Sequence, residues 1–113
     1  MAHPTRIMWI ESKGDGIVGP ARIGRVRFSK SGKSLYHGGK RFETLAGQGF
    51  KANYFDADSG EHYWISGCRK DGMDALYSTD VTVDEDVREE YWVGIRGLPE
   101  RKHVSSFRAR GKH

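Results

Sequence analysis

Residues 49–68, GFKANYFDADSGEHYWISGC, restrict most sharply what this chain can fold into. Five aromatic residues, Phe50, Tyr54, Phe55, Tyr63 and Trp64, fall in two short runs on either side of an Asp/Ser/Gly cluster. Short runs rich in rings and separated by turn residues read as a hairpin, with strands over 49–55 and 62–68 and DADSGE as the turn. Both runs are apolar on more than one face. A strongly bent barrel strand can bury residues on both faces, so most of these rings are expected in the core. Tyr63 or Phe55 is expected to remain outside, where a ligand could stack on it.

The preceding sequence has the same character. Ile7-Met8-Trp9-Ile10 is a compact apolar run ended by SKGDGIVGP, a loop marked by its glycines and Pro20. In ARIGRVRFSKSGKSLY, Val26 and Phe28 share one strand face while Arg25 and Arg27 project from the other. Ile23 falls out of phase with Val26, and Gly24 between them predicts a bulge. SKSGK reads as a turn into Ser34-Leu35-Tyr36. HGGKRFETLAGQG reads as irregular or a short turn, with Phe42 and Leu45 dipping into the core. Near the end, Val87, Tyr91 and Ile95 recur at helical spacing with Trp92 beside them. Asp84 is placed to cap that helix, and Gly97 and Pro99 to stop it.

These signals predict a mostly β, α+β domain over 1–99. It is a small, strongly bent antiparallel sheet or SH3-like, partly open barrel of about five strands (6–11, 21–29, 34–37, 49–55 and 62–68) with one C-terminal helix over 85–96. Residues 100–113 have no periodic face and read as a mobile basic tail. The expected core is Ile7, Trp9, Ile23, Val26, Phe28, Leu35, Phe50, Tyr54, Trp64, Ile65, Leu76, Val87, Tyr91 and Ile95.

Thirteen aromatics in 113 residues argue against a disordered chain. No apolar run approaches the roughly 18–20 residues of a membrane span, and the N-terminus has no secretory signal pattern. The single cysteine, Cys68, rules out an internal disulfide and suits a reducing cytoplasm. A cytoplasmic location without membrane contact is therefore expected. Charge is segregated along the chain. Residues 1–48 hold nine Lys/Arg against three Asp/Glu, residues 49–100 five against twelve, and residues 101–113 five against none. Such asymmetry points to a charged partner or to self-complementary packing.

No catalytic motif is complete. Gly14-Asp15-Gly16 matches the start of a thiamine-diphosphate motif, but the required Asn pair is missing, since Asn53 is the only asparagine. SKSGKS resembles the end of a P-loop, yet Arg27 stands where the first glycine must be. Cys68 and His62 lie about 20 Å apart on one strand, too far for a nucleophile and its base, so Cys68 reads as a buried small side chain. The histidines are scattered without zinc spacing, and DADSGE lacks the calcium-loop pattern. No metal or other cofactor is expected.

What remains is electrostatic. Arg22, Arg25, Arg27, Lys30 and Lys33 line one predicted hairpin, with Tyr36, Lys40 and Arg41 close by. Arg25 and Arg27 sit roughly 7 Å apart on one face, a spacing suited to successive phosphates. Tyr36 or Tyr63 would then stack bases. The expected function is a non-enzymatic binding module, with RNA or single-stranded DNA as the partner. The alternative is a protein-interaction or homodimerisation module. In that case the basic half docks on an acidic protein, or on Asp84, Glu85, Asp86, Glu89 and Glu90 of a second copy.

The blocks GPARIGRV, GFKANYFDADSGEHYWISGCRKDG and DEDVREEYW, the last preceded here by Val83, resemble a family of small bacterial proteins without an established function. The likeness covers about residues 5–99. Some relatives carry the name 1-deoxy-D-xylulose-5-phosphate synthase. The resemblance does not carry that activity here, because the thiamine-diphosphate enzyme needs several hundred residues and the Asn pair. It implies a discrete cytoplasmic domain and no catalytic residues.

Overall fold

The computed structural model of the protein describes residues 4–14, 19–47 and 52–112. Among the described residues eight strands run in chain order: β1 (Thr5–Ser12), β2 (Ala21–Phe28), β3 (Ser34–His37), β4 (Lys40–Thr44), β5 (Tyr54–Asp56), β6 (His62–Gly67), β7 (Thr79–Val83) and β8 (Ser106–Ala109). The spatial order is β1-β6-β5-β4-β3-β2, closed by pairing of β1 with β2 into a six-stranded antiparallel barrel. β7 then adds to β2 in parallel, and β8 to β7 antiparallel. The small β-barrel is as expected; the strand count is not. β4, β7 and β8 were not anticipated. The predicted strand over 49–55 is a described strand only at Tyr54–Asp56, and Phe50 lies outside the described residues.

Turn chemistry fixes the hairpins. Gly38 and Gly39 both take positive φ (57° and 78°) between β3 and β4, as a tight two-residue hairpin requires. Asp56 organises the β5–β6 turn. Its buried carboxylate accepts the Asp58 N–H at 2.9 Å and receives Lys40 Nζ at 3.1 Å. The DADSGE tip is thus held by an internal carboxylate rather than being merely solvated.

No bulge interrupts β2 at Gly24. The ladder with β1 runs unbroken from Thr5↔Arg27 through Met8↔Gly24 to Glu11↔Ala21. The phase change between Ile23 and Val26 has another cause, burial of β1 and β2 on both faces. Met8, Ile10 and Val26 point into the barrel, where they meet Leu35, Phe42 and Ile65. Ile7, Trp9, Ala21 and Ile23 point outward into a second core with Val81, Val83, Val87, Tyr91 and Trp92. That outer core is roofed by the C-terminal third of the chain.

The roof is helical, but it is not one regular helix. Glu85–Val87 forms a 3₁₀ turn and Glu90–Ile95 a π-helix, with the Arg96 N–H donating to the Tyr91 carbonyl at 2.9 Å. The wide turn lets sequence neighbours Tyr91 and Trp92 both be fully buried. Gly97 (φ 65°) ends it, as expected.

Nor do residues 99–109 form a free tail. Pro99–Arg101 is a 3₁₀ turn, and Ser106–Ala109 pairs with β7 from Thr82↔Ser106 to Thr79↔Ala109. Trp92 organises this return of the chain. Its Nε1–H donates to the Val104 carbonyl at 2.9 Å, Phe107 packs edge-on against it at 5.1 Å, and the Arg101 guanidinium covers its ring at 4.5 Å. Leu76, expected in the core, is 44% exposed, while its neighbour Ala75 is fully buried. The stretch has no strand or helix period to fix which residue turns inward. Among the described residues no helix is long and apolar enough to cross a membrane.

Candidate functional site

The second edge of β2 is shared between two strands. Its C-terminal end pairs with β3 (Arg27↔Tyr36, Phe28↔Leu35), and its N-terminal end with β7 (Ala21↔Val81 to Ile23↔Val83). β3 and β7 diverge at Gly24. Two side chains enter the gap there: His37 from the end of β3, and Asp84 from just beyond β7. His37 Nε2 lies 2.7 Å from Asp84 Oδ2, and Arg22 Nη1 donates to Asp84 Oδ1. The Asp84 backbone N–H donates to the Ile23 carbonyl at 2.9 Å. The Asp84 carboxylate makes no cap to the helical segment, because Arg22 and His37 occupy it.

This gap opens into the barrel mouth, a cleft of about 670 Å³. Inward-facing Ile10, Phe42 and Tyr63 lie at its base, with Arg22, Arg25, His37 and Lys40 around it. Tyr63 packs edge-on to Phe42 with centroids 4.9 Å apart and is half-buried, and burial is the main reason its hydroxyl pKa is raised. It is therefore not an outward stacking platform beside Tyr36. Lys40 is raised above its ordinary value, chiefly by its hydrogen bond with Asp56, and stays charged.

A second cleft, of about 480 Å³, follows the β3–β4 turn on the outside of the barrel. Arg27, Tyr36 and Arg41 are direct cross-strand neighbours there. The Arg27 guanidinium lies 4.2 Å from the Tyr36 ring centroid, and Arg41 Nε reaches Glu43 at 3.0 Å. Arg25, His37, Gly38 and Lys40 line both clefts. Lys30 and Lys33 are exposed at the tip of the β2–β3 turn, and Phe55 shares the outer face one row further along, opposite Glu43.

The sequence candidates thus divide. Arg25, Arg27, Tyr36, Lys40 and Arg41 come together around one outer cleft, with Lys30 and Lys33 at its edge. Arg22 and Tyr63 belong to the barrel mouth. The acidic set divides too. Asp84 is held by Arg22 and His37, and Glu90 receives Arg25 Nη2 at 2.8 Å, whereas Glu85, Asp86 and Glu89 are exposed. The charge segregation along the sequence is thus partly closed within one chain. No sequence motif links His37 to Asp84; the one local signal is a glycine inside a strand, which by itself suggests only a bulge.

Cys68 packs against the outer core, and burial with Asp74 nearby pushes its thiol up to about 12. Asp74 is itself raised, mainly by burial. Its Oδ1 accepts the Arg69 N–H at 2.9 Å, while Oδ2 is buried without a partner. Among the described residues no group of three or more His, Cys, Asp or Glu could hold a metal ion. Asp15 and Gly16 of the GDG sequence lie outside the described residues.

No family model, curated protein or solved structure matches this chain. The functional reading rests on the barrel's own residues.

Proposed function

We propose that this barrel is a non-enzymatic binding module that holds single-stranded nucleic acid on the outer face of β2, β3 and β4. The observation that carries the reading is the Arg27–Tyr36–Arg41 row. It sets a cation, a ring and a cation side by side across three strands, with the first cation already stacked on the ring. Adjacent strands are about 4.8 Å apart, so the two guanidinium groups flank a strip about 10 Å wide. A backbone can lie along the strip on the arginines and lysines while a base stacks on the Arg27–Tyr36 pair. Such stacking contributes about 1–3 kcal/mol per base and tolerates any sequence. Arg27, Lys30 and Lys33 have no carboxylate partner among the described residues and are the cations freest to meet phosphate.

Pairing of the basic half with the acidic segment of a second copy is the weaker reading, since Asp84 and Glu90 already hold Arg22 and Arg25 within the chain. The test is a titration of mixed-sequence single-stranded RNA and DNA into the full chain at several salt concentrations. Binding is expected to weaken steeply with salt, and Arg27→Ala and Tyr36→Ala are each expected to lower affinity about tenfold. Salt-independent binding, or none, rejects this reading.

A further inference from the structure

We propose that the barrel mouth is a pocket for a nucleoside monophosphate, either free or at the end of a strand. The inference goes beyond the outer face and does not depend on it. The cleft's volume, about 670 Å³, suits a small molecule. Its base is apolar and aromatic, with Phe42 locking the Tyr63 ring edge-on, which suits the flat face of a nucleobase. Its lip carries Arg25 and Lys40. Each meets one carboxylate, Glu90 and Asp56 respectively, against five N–H donors on an arginine and three on a lysine. Those spare donors suit a phosphate. Asp86, exposed on the same cleft, supplies acceptors suited to ribose hydroxyls.

Gly24 makes this arrangement possible. A Cβ there would lie 2.4 Å from both His37 Nε2 and Asp84 Oδ2, so only glycine leaves room for that pair at the divergence of β3 and β7. Apolar base, cationic lip and acidic wall together match a base, a phosphate and a sugar. Inorganic phosphate would leave the apolar base unused, and a nucleoside would leave the lip unused.

The test is nuclear magnetic resonance of the full chain titrated with AMP and with UMP, compared with adenosine and inorganic phosphate. Saturable shifts are expected at Ile10, Ser12, Phe42 and Tyr63, with AMP binding about tenfold more tightly than adenosine or phosphate. Lys40→Gln, at a half-exposed side chain, is expected to weaken AMP about tenfold and leave adenosine unchanged. Tyr63→Leu is expected to weaken both. If that variant unfolds, the Lys40 comparison decides alone. No saturable shift with either nucleotide, shifts confined to Tyr36 and Arg41, or equal affinity for AMP and adenosine overturns the proposal. A 5′-phosphorylated oligonucleotide that displaces AMP and shifts the same base residues identifies a strand end as the ligand. Failure to displace identifies the free mononucleotide, and either result supports the pocket. Loss of oligonucleotide binding with the AMP shifts intact rejects the outer-face reading alone.

Discussion

At Gly24 the missing Cβ decides whether His37 and Asp84 can meet, since an added methyl would press on both at 2.4 Å. Gly24→Ala is therefore expected to cost about 1–3 kcal/mol in urea unfolding, from overpacking and a lost charge-assisted bond. It should also shift the His37 ring resonances. Gly32→Ala is the control. It meets nothing within 4 Å but sits at φ 76°, so it should cost about 1–2 kcal/mol of backbone strain and leave His37 undisturbed. An unperturbed His37 in Gly24→Ala would show that the pair does not need the glycine. Cys68 gives a second residue-level prediction. A thiol near 12 is only about one part in ten thousand thiolate at pH 8, so iodoacetamide should label it roughly a thousandfold more slowly than a free cysteine until the chain is unfolded. Fast native labelling would mean that the roof over the outer core opens readily. Asp74 supplies the pH dependence. Its carboxyl is raised in the folded chain, so its contribution is fully present below the unfolded carboxylate pKa of about 4 and is lost as pH rises through the folded value. Asp74→Asn removes that loss, so the stability of the variant relative to the parent should climb across this window and then level off. A difference independent of pH would rule out Asp74 as its source.

Among the elements, β8 and the turn before it are the ones whose role is most open to direct test. Phe107 stacks on Tyr91 at 6.5 Å and meets Trp92 edge-on at 5.1 Å, so Phe107→Ala should cost about 2–4 kcal/mol in denaturant unfolding. A cost near zero would mean that residues 99–109 are an appendage. Removing everything after Leu98 uncovers Trp92 and an edge of β7, so it should unfold the domain instead of giving a tailless version of it. Nothing in SFRA announced this strand. Four residues with one ring carry no period, and their pairing with β7 is a tertiary choice. β7 was more legible, for TDVTV alternates buried and exposed along its length as period 2 demands. The β3–β4 hairpin is legible as well, since Gly38-Gly39 between SLYH and KRFET is a two-residue turn signature, although the low apolar content of the stretch favours an irregular assignment. The π-helix was not legible. Val87, Tyr91 and Ile95 fit the α period, and the wider turn follows from fitting Tyr91 and Trp92 under the same roof. The candidate site was half legible. The basic-aromatic cluster could be read from parity within single strands, whereas the mouth joins residues 47 apart, His37 and Asp84, through a sheet divergence that no local pattern encodes.

For the whole molecule, the charge asymmetry of the sequence becomes an internal competition. Arg25 lies on the lip of both clefts, yet its Nη2 is held by Glu90, and Glu90 belongs to the acidic segment that the chain folds over the outer core. If phosphates bind the outer face, that carboxylate competes with them for the same guanidinium. Glu90→Gln should release it. On a single strand each neutralised phosphate adds about 0.7 to the slope of log affinity against log salt. The variant should therefore bind single-stranded RNA or DNA several-fold more tightly at low salt, with a slope steeper by about 0.7. Because both partners are substantially exposed, breaking the pair should change stability by only about 0–1 kcal/mol. Binding and folding effects can thus be separated by measuring both. Arg27→Gln should do the opposite, flattening the slope by about the same amount. Arg25→Gln added to Glu90→Gln should erase the gain, because the phosphate contact then has no cation to use. If Glu90→Gln binds no better than the parent while Arg27→Gln still binds less well, the strand follows Arg27, Lys30 and Lys33 and passes Arg25 by. In that case the path of the nucleic acid runs toward the β2–β3 turn and away from the barrel mouth.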